Sequence, residues 1–269
     1  MKISVLMCSR DRPVMLASAI GSLHARASGK HEIVYVVGCD DDDPNTAALV
    51  DLIKAKGLPV KAHCGPRSSS LGALINAMAA ANPADVYCSL CDDVKAITHG
   101  WDEVIHAAWL KRRDGVWWWS NSANSHYAIV SEKWRAAAGR IFTDYFPFWW
   151  DDVWLLQLWK YVTGKTQQRL DLWLEDTAPA TQRMRDLEFW TDFYWSRTAE
   201  RRIEANRIRR RLGRPSIKAE PHHELAPNPD YTRRTGAIQA KQGERAPPTP
   251  EYLAAKARAE SLMTNKEAA

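Results

Sequence analysis

Three runs of aspartate and one arginine-bearing turn stand where apolar stretches of the sequence stop. Asp40-Asp41-Asp42-Asp43 closes the run Ile33 to Val37, Asp92-Asp93 closes Val86 to Leu90, and Asp151-Asp152 opens the amphipathic stretch DDVWLLQLW. Ser9-Arg10-Asp11-Arg12 follows the run Ile3 to Cys8. Hard cations prefer oxygen ligands, and Mg²⁺ or Mn²⁺ is commonly held by one or two carboxylates together with substrate phosphates, so Asp92 and Asp93 are the candidate metal ligands. A polar turn that caps the next helix is the plainer reading of such a pair. Aspartates in a first helical turn are compatible with the helix dipole, which is the plain reading of Asp151 and Asp152. Flanked by Trp149, Trp150 and Trp154, however, either one would be partly desolvated, which raises a carboxyl pKa and makes the group a better proton acceptor near neutral pH.

The elements that must position these groups alternate strand and helix. Ile3 to Cys8 and Val86 to Leu90 are strand-like and largely apolar, Ile33 to Val37 is a continuous apolar run as a strand buried on both faces requires, and Val60 to His63 reads as a further strand. Between them, Pro13 opens a helix with Val14, Leu16, Ala17, Ile20 and Leu23 on its apolar side, Thr46 to Lys56 forms a helix closed by Gly57, and Leu71 to Ala81 forms a third. Such units argue for a parallel sheet with right-handed crossovers. In an open α/β sheet, ligands bind outside the carboxyl ends of the strands, where the acidic runs fall. Neither GxGxxG nor GxxxxGKS is present, which speaks against a dinucleotide oxidoreductase or a P-loop enzyme.

Composition sets the outer bounds. The chain has 269 residues, 45% of them hydrophobic, enough for one large core and an appendage. No apolar run approaches the roughly 20 residues of a spanning helix, and MKISVLMCSRDRP meets a charged turn too early for a signal peptide. The five cysteines, odd in number and set mostly in or beside apolar runs, are expected to be reduced core thiols, Cys88-x-x-Cys91 included, with a cytoplasmic location. The net charge of +5 is concentrated at one end: residues 197–269 carry 16 Lys and Arg against 9 Asp and Glu. A basic tail suits an anionic partner, although a solvated helix has the same composition.

The segments ISVLMCSRDRP, EIVYVVGCDDDDP, RSSSLGALINAMAAA and DVYCSLCDDV together resemble the nucleotide-sugar-binding half of family 2 glycosyltransferases, over roughly residues 2 to 160. The resemblance implies a GT-A fold: α/β, Rossmann-like, a mostly parallel sheet flanked by helices. It implies that Ser9, Arg10 and Asp40 contact the base and ribose of a nucleoside diphosphate sugar, a UDP-sugar first, and that Arg67, Leu71, Gly72 and Asn76 belong to a donor-contacting loop and helix. Asp92 and Asp93 fall on the family's Asp-x-Asp site, where a divalent metal, Mn or Mg, bridges the diphosphate. Cys91 stands where many members carry the first Asp, so Asp93 is the firmer ligand of the two. The resemblance also places the general base at the start of the acceptor-side helix, with Asp152 in the spacing Asp152-x-Trp154 and Asp151 as the substitute.

Downstream, Trp117 to Trp119 and Tyr127 to Val130 read as strands. Most of the 13 Trp suit a core, while Trp149 and Trp150 are candidates to stack on an acceptor. Trp101 reads as an anchor for the helix after the metal site, and His126 as a hydrogen-bonded structural residue. RTAERRIEANRIRRRLGRP is a basic helix, with Arg207 and Arg210 as candidate acceptor contacts; from Ser216 onward an extended linker leads to a short helix from Glu251 to Met263. His222-His223 could approach the metal. The expected organisation is a glycosyltransferase domain over 1–196 and a basic helix with a partly extended tail over 197–269. The expected activity is metal-dependent sugar transfer from a nucleoside diphosphate sugar to an acceptor hydroxyl, on a hydroxymethylated pyrimidine in DNA of the kind phage-encoded enzymes glycosylate. Two alternatives stay open: transfer to a cell-surface polysaccharide or lipid-linked precursor, and a non-catalytic nucleotide-binding module of the same fold.

Overall fold

The computed structural model describes residues 1–120, 126–147, 150–177, 186–217 and 247–264. Trp149, His222 and His223 lie outside the described residues.

The apolar runs pair as four parallel strands. Strand β1 (Lys2–Cys8) lies between β2 (Glu32–Asp40) and β4 (Val86–Cys91), and β2 also pairs with β3 (Val60–Gly65). Two short strands continue the sheet beyond β4: β7 (Ala128–Ser131) runs antiparallel to β4, and β6 (Val116–Trp118) antiparallel to β7. The resulting order is β3-β2-β1-β4-β7-β6. Between β4 and β6, the three-residue strand β5 (Val94–Ala96) pairs with β8 (Leu174–Asp176) in a separate small sheet.

Because successive side chains alternate across a strand, each face of this sheet needs its own helical cover. Helices α1 (Pro13–Arg26), α2 (Pro44–Ala55) and α4 (Trp101–Lys111) bury Leu16, Ile20, Leu23, Val50, Ile53, Trp101 and Ile105 with Ile3, Val5 and Met7 of β1. The opposite face carries α3 (Leu71–Ala81), α5 (Glu132–Ala138) and α6 (Asp151–Thr163), whose Ile75, Met78, Trp134, Trp154 and Trp159 pack with Leu6 of β1. Helices α7 (Leu187–Ser196), α8 (Thr198–Arg211) and α9 (Pro250–Thr264) extend that second layer, through residues such as Trp190, Phe193, Ile208 and Tyr252. The tryptophans are thus mostly core, and Trp101 is fully buried with its indole N–H donating to the Leu23 carbonyl. No described helix is long and apolar enough to cross a membrane.

One expectation about the cysteines is corrected. Cys39 and Cys64 occupy paired positions on β2 and β3 and form a disulfide, leaving Cys8, Cys88 and Cys91 as free thiols. Apolar runs in or beside most of the five made them look like core thiols, yet of the free ones only Cys88 is buried, Cys8 being half-buried and Cys91 exposed. The register that sets two of them side by side in space is not contained in either strand's local sequence.

Candidate active site

Register brings the functional groups level. Cys8 pairs with Gly38 on one side and Cys91 on the other, so the residues that leave β1, β2 and β4 emerge in one row at the carboxyl edge of the sheet. The turn Ser9 to Arg12 is fastened to that row at every residue. Ser9 Oγ donates to Asp92 Oδ2 at 2.8 Å. Arg10 donates to Asp40 at 2.6 Å and, through its second nitrogen, to Asp42 at 2.9 Å. The Asp11 N–H donates to Asp43 at 2.9 Å, and Arg12 Nη1 reaches Asp92 Oδ1 at 3.2 Å and Asp93 Oδ2 at 3.3 Å.

Each local conformation has a cause. Asp43 caps α2 by accepting from Thr46 N–H, ahead of Pro44 at the first helical position. Burial alone would raise the Asp43 pKa, but hydrogen bonds from Thr46 and the Asp11 N–H outweigh it and hold the carboxyl below its usual range. Asp42 is lowered by its bond from Arg10. Asp93 behaves oppositely: burial and the adjoining Asp92 raise its pKa, and Arg12 offsets this only in part. Asp93 is also held through its backbone, because its carbonyl accepts from both N–H and Oγ1 of Thr177 at the end of β8. From the same strand, Asp176 accepts from Tyr127 Oη at 2.6 Å.

The second carboxylate pair arrives on α6. Asp151 is buried, accepts from the Asp152 N–H, and has its pKa raised to about 7 by burial first and the Asp152 charge second. Asp152 is more open, with His126 Nδ1 at 3.5 Å from its carboxylate. The half-buried Cys8 thiol, at the end of the central strand, ties the two sets together: its pKa is raised by burial and then by the charges of Cys91, Asp92, Asp151 and Asp40 around it. Among the described residues, four non-glycine positions adopt left-handed backbone; Asp11, Tyr127 and Trp150 are three of them, and all border this edge. Such conformations persist where the surroundings over-determine them.

The structure therefore brings together Ser9, Arg10, Asp40, Asp92, Asp93, Asp151 and Asp152. Arg67 also stands at this edge, 3.9 Å from Glu251 on the first turn of α9. Gly72 and Asn76 are engaged elsewhere on α3. A Cβ on Gly72 would lie 2.0 Å from the Thr143 carbonyl oxygen, and the Asn76 amide accepts from the N–H groups of Ile141 and Phe142 while donating to the Phe142 carbonyl. Both residues fasten the 141–143 backbone to α3. Trp150 is buried and stacks on Tyr194 with ring centroids 4.6 Å apart. Arg207 and Arg210 are exposed on α8. That helix runs alongside α6, Glu204 meeting Trp154 and Arg209 meeting Val162, so the arginine-rich end lies beside the end of α6 remote from Asp151, about 15 Å along the helix axis.

Several contributors were not singled out in advance. Arg12, Asp42 and Asp43 lie inside motifs that the sequence displays, and the Asp-Pro-x-Thr cap was a readable signal for Asp43. Asp176 and Glu251 carry no local signal, because a three-residue strand and a distant helix bring them here. Among the described residues, no group of three or more His, Cys, Asp or Glu side chains is arranged to hold a metal by itself.

No family model matches the sequence, and no curated protein matches it. Solved structures do match in fold. TarS residues 1–349 of S. aureus in complex with UDP superposes with a TM-score of 0.54 at 13% identity, over 90% of this chain and 71% of that one. The mannosyltransferase PcManGT of Pyrobaculum calidifontis, in complex with GDP-Man and Mn2+, gives 0.54 at 12% identity over 97% and 83%. TarS 1–349 alone gives 0.50 at 13% identity, again over 97% and 83%. At this identity the likeness is one of architecture, and the architecture is the GT-A fold of glycosyltransferases.

Proposed function

We propose that the protein is a nucleotide-sugar-dependent glycosyltransferase whose donor site is the carboxyl edge of β1, β2 and β4. One observation carries the reading: the Ser9 to Arg12 turn, the acidic ends of β2 and β4 and the Asp151-Asp152 pair converge at one sheet edge, in the fold shared by structures holding UDP and GDP-Man. Ser9, Arg10 and Asp40 are the residues we assign to the nucleoside, with Arg67 at the rim, while Gly72 and Asn76 act on the donor side only indirectly, by fastening the 141–143 backbone to α3. The 1–196 portion forms the catalytic body in this reading. Helix α8, which buries Arg201, Glu204, Ala205 and Ile208, buttresses it.

A divalent cation fits the donor set. A single nitrogen of Arg12 lies near one oxygen of Asp92 and one of Asp93, so the two carboxylates already present oxygens to a common point. Two carboxylates are what a Mg²⁺ or Mn²⁺ site completed by substrate phosphates requires of the protein. Asp93 and Asp92 would hold the ion, which when bound supplies positive charge to a leaving diphosphate. The chain's own residues do the rest. Arg10 and Arg12 add cationic hydrogen-bond donors at the same edge, in a partly water-excluded setting that strengthens them. The acceptor hydroxyl oxygen forms a bond to the anomeric carbon as the carbon–oxygen bond to the diphosphate breaks; the hydroxyl proton passes to Asp152, the more accessible of the two carboxylates, and the nucleoside diphosphate departs. An ionised Asp151 beside Asp152 makes it a stronger proton acceptor.

For the acceptor, the reading that stays closest to composition is a hydroxyl on nucleic acid, such as a hydroxymethylated pyrimidine. Its support is the exposed Arg207 and Arg210 and the charge of residues 197–269. That support is narrower than composition suggested, since Arg209 and Arg211 bind carbonyls of Val162 and Ala137, Arg214 pairs with Asp114, and the buried Trp150 is turned away from solvent. A cytoplasmic location, in the host if the gene is carried by a phage, keeps only the three free thiols as its support. Transfer can be followed by mass spectrometry on hydroxymethylated DNA, oligosaccharide and lipid-linked acceptors. A DNA-directed enzyme should bind duplex with a log–log salt slope of roughly −0.9 per phosphate contact, flattened by Arg207→Ala with Arg210→Ala. Salt-independent transfer to a carbohydrate, unaffected by those changes, contradicts the nucleic-acid reading.

A further inference from the structure

Two arginines leave the β1 turn, and the structure holds them differently. Arg10 is clamped: separate guanidinium nitrogens donate to Asp40 at 2.6 Å and to Asp42 at 2.9 Å, as short as or shorter than the usual charge-assisted bond. Arg12 is held by one nitrogen alone, at 3.2 Å from Asp92 and 3.3 Å from Asp93, both longer than that. The backbone beneath it is fixed, with the Asp11 N–H tied to Asp43 and Asp11 itself in left-handed geometry. The long Arg12 side chain is therefore the more weakly held part of a pinned turn. Asp92, by contrast, is buried, and its second oxygen is taken by Ser9 Oγ. Only Oδ1 of Asp92 is left to face a cation, and Arg12 covers it.

We propose that Arg12 is a displaceable counter-cation that couples entry of the divalent metal to entry of the diphosphate. The proposal rests on the reading of Asp92 and Asp93 as the metal-holding pair. A metal ion must approach those carboxylate oxygens to about 2.0–2.6 Å. A guanidinium nitrogen at its present distance from the same oxygens would share that space and repel the ion, so Arg12 has to swing away. Without nucleotide the displaced guanidinium gives up two carboxylates for water, and metal binding is opposed. With a nucleoside diphosphate present, the freed guanidinium has a new anionic partner whose paired oxygens suit its planar fork. Metal and diphosphate then favour one another, and by linkage each raises the other's affinity by the same factor.

The test is Mn²⁺ binding to the full chain, followed by electron paramagnetic resonance and by calorimetry, with and without UDP or GDP. The parent protein should bind Mn²⁺ at least about tenfold more tightly with a nucleoside diphosphate than without, within the usual span of such couplings. Arg12→Met keeps the apolar stem and removes the charge; it should raise nucleotide-free Mn²⁺ affinity by about tenfold or more and shrink the gain from nucleotide correspondingly. Arg12→Lys restores a cation and should return nucleotide-free affinity toward the parent value, which also guards against a general loosening in the Met variant. Equal Mn²⁺ affinity of the parent with and without nucleotide, or no gain in Arg12→Met, overturns the coupling while leaving Asp92 and Asp93 as metal ligands. Absence of Mn²⁺ binding even with nucleotide, and no change on Asp93→Ala, overturns the metal reading and the coupling together.

Discussion

Asp151 and Asp152 are neighbours in the chain with different surroundings. Asp152 faces His126 and is open enough to meet an acceptor, whereas Asp151 is sealed beneath it and titrates near neutrality. Asp152→Asn should lower turnover by about 10² or more with donor affinity kept, the usual scale for removing a general base. Asp151→Asn should cost less and should erase an inflection near pH 7 above which the parent is faster; the reverse ranking makes Asp151 the base. The same group affects stability. Its folded pKa of about 7 lies above the model-peptide value of 3.8, so its contribution is complete below about pH 3.8 and is lost as the pH rises through 7. Asp151→Asn, which stays neutral, should melt a few degrees higher than the parent at pH 8 and at the same temperature at pH 4, by calorimetry; an equal difference at both values contradicts a buried, late-ionising Asp151. Sequence displayed both aspartates and the tryptophans near them. It could not show which side of the first helical turn would be buried; the desolvation expected of either aspartate falls on Asp151.

At the scale of elements, α8 shows where pattern reading reaches its end. RTAERRIEANRIRRR looks like a helix for solvent because its buried stripe contains charged residues, Arg201 and Glu204, beside only Ala205 and Ile208. Burial of charge is permitted where it is paired, and here it is: Glu204 accepts from Arg140 at 3.0 Å and from the Trp154 indole at 2.9 Å, and Arg201 lies over the Tyr194 ring. Arg140 and Trp154 lie 64 and 50 residues from Glu204, so no local window of sequence contains that pairing. Glu204→Ala leaves buried donors unsatisfied and should cost about 3 kcal/mol in urea unfolding, while Arg210→Ala on the exposed side should stay within about 0.5 kcal/mol. Equal effects would mean that α8 is not docked as described. The elements that sequence made legible include β1 to β4 with α1 to α3, punctuated by Pro, Gly or capping residues, and also β6, β7, α6 and the existence of α8 and α9; what it did not show is how α8 docks.

Across the whole molecule, four parallel strands and their acidic ends suffice to suggest the fold, and the antiparallel edge, β6 and β7, falls where Trp117 to Trp119 and Tyr127 to Val130 read as strands. Strands β5 and β8 have three residues each, too few to show a period, and Thr177, directly after β8, nonetheless holds the Asp93 carbonyl from 84 residues away. Helix α9 returns to the carboxyl edge of the sheet, where Glu251 meets Arg67. The proposed function comes down to one claim, that this edge binds and cleaves a nucleotide sugar. The most direct measurement is release of nucleoside diphosphate from a panel of UDP- and GDP-sugars, without acceptor, by parent protein and Asp93→Ala. The account predicts slow release from at least one sugar nucleotide, dependent on Mn²⁺ or Mg²⁺ and lost in Asp93→Ala. A folded parent protein that neither binds nor cleaves any member of the panel would contradict it and leave a non-catalytic module of the same fold.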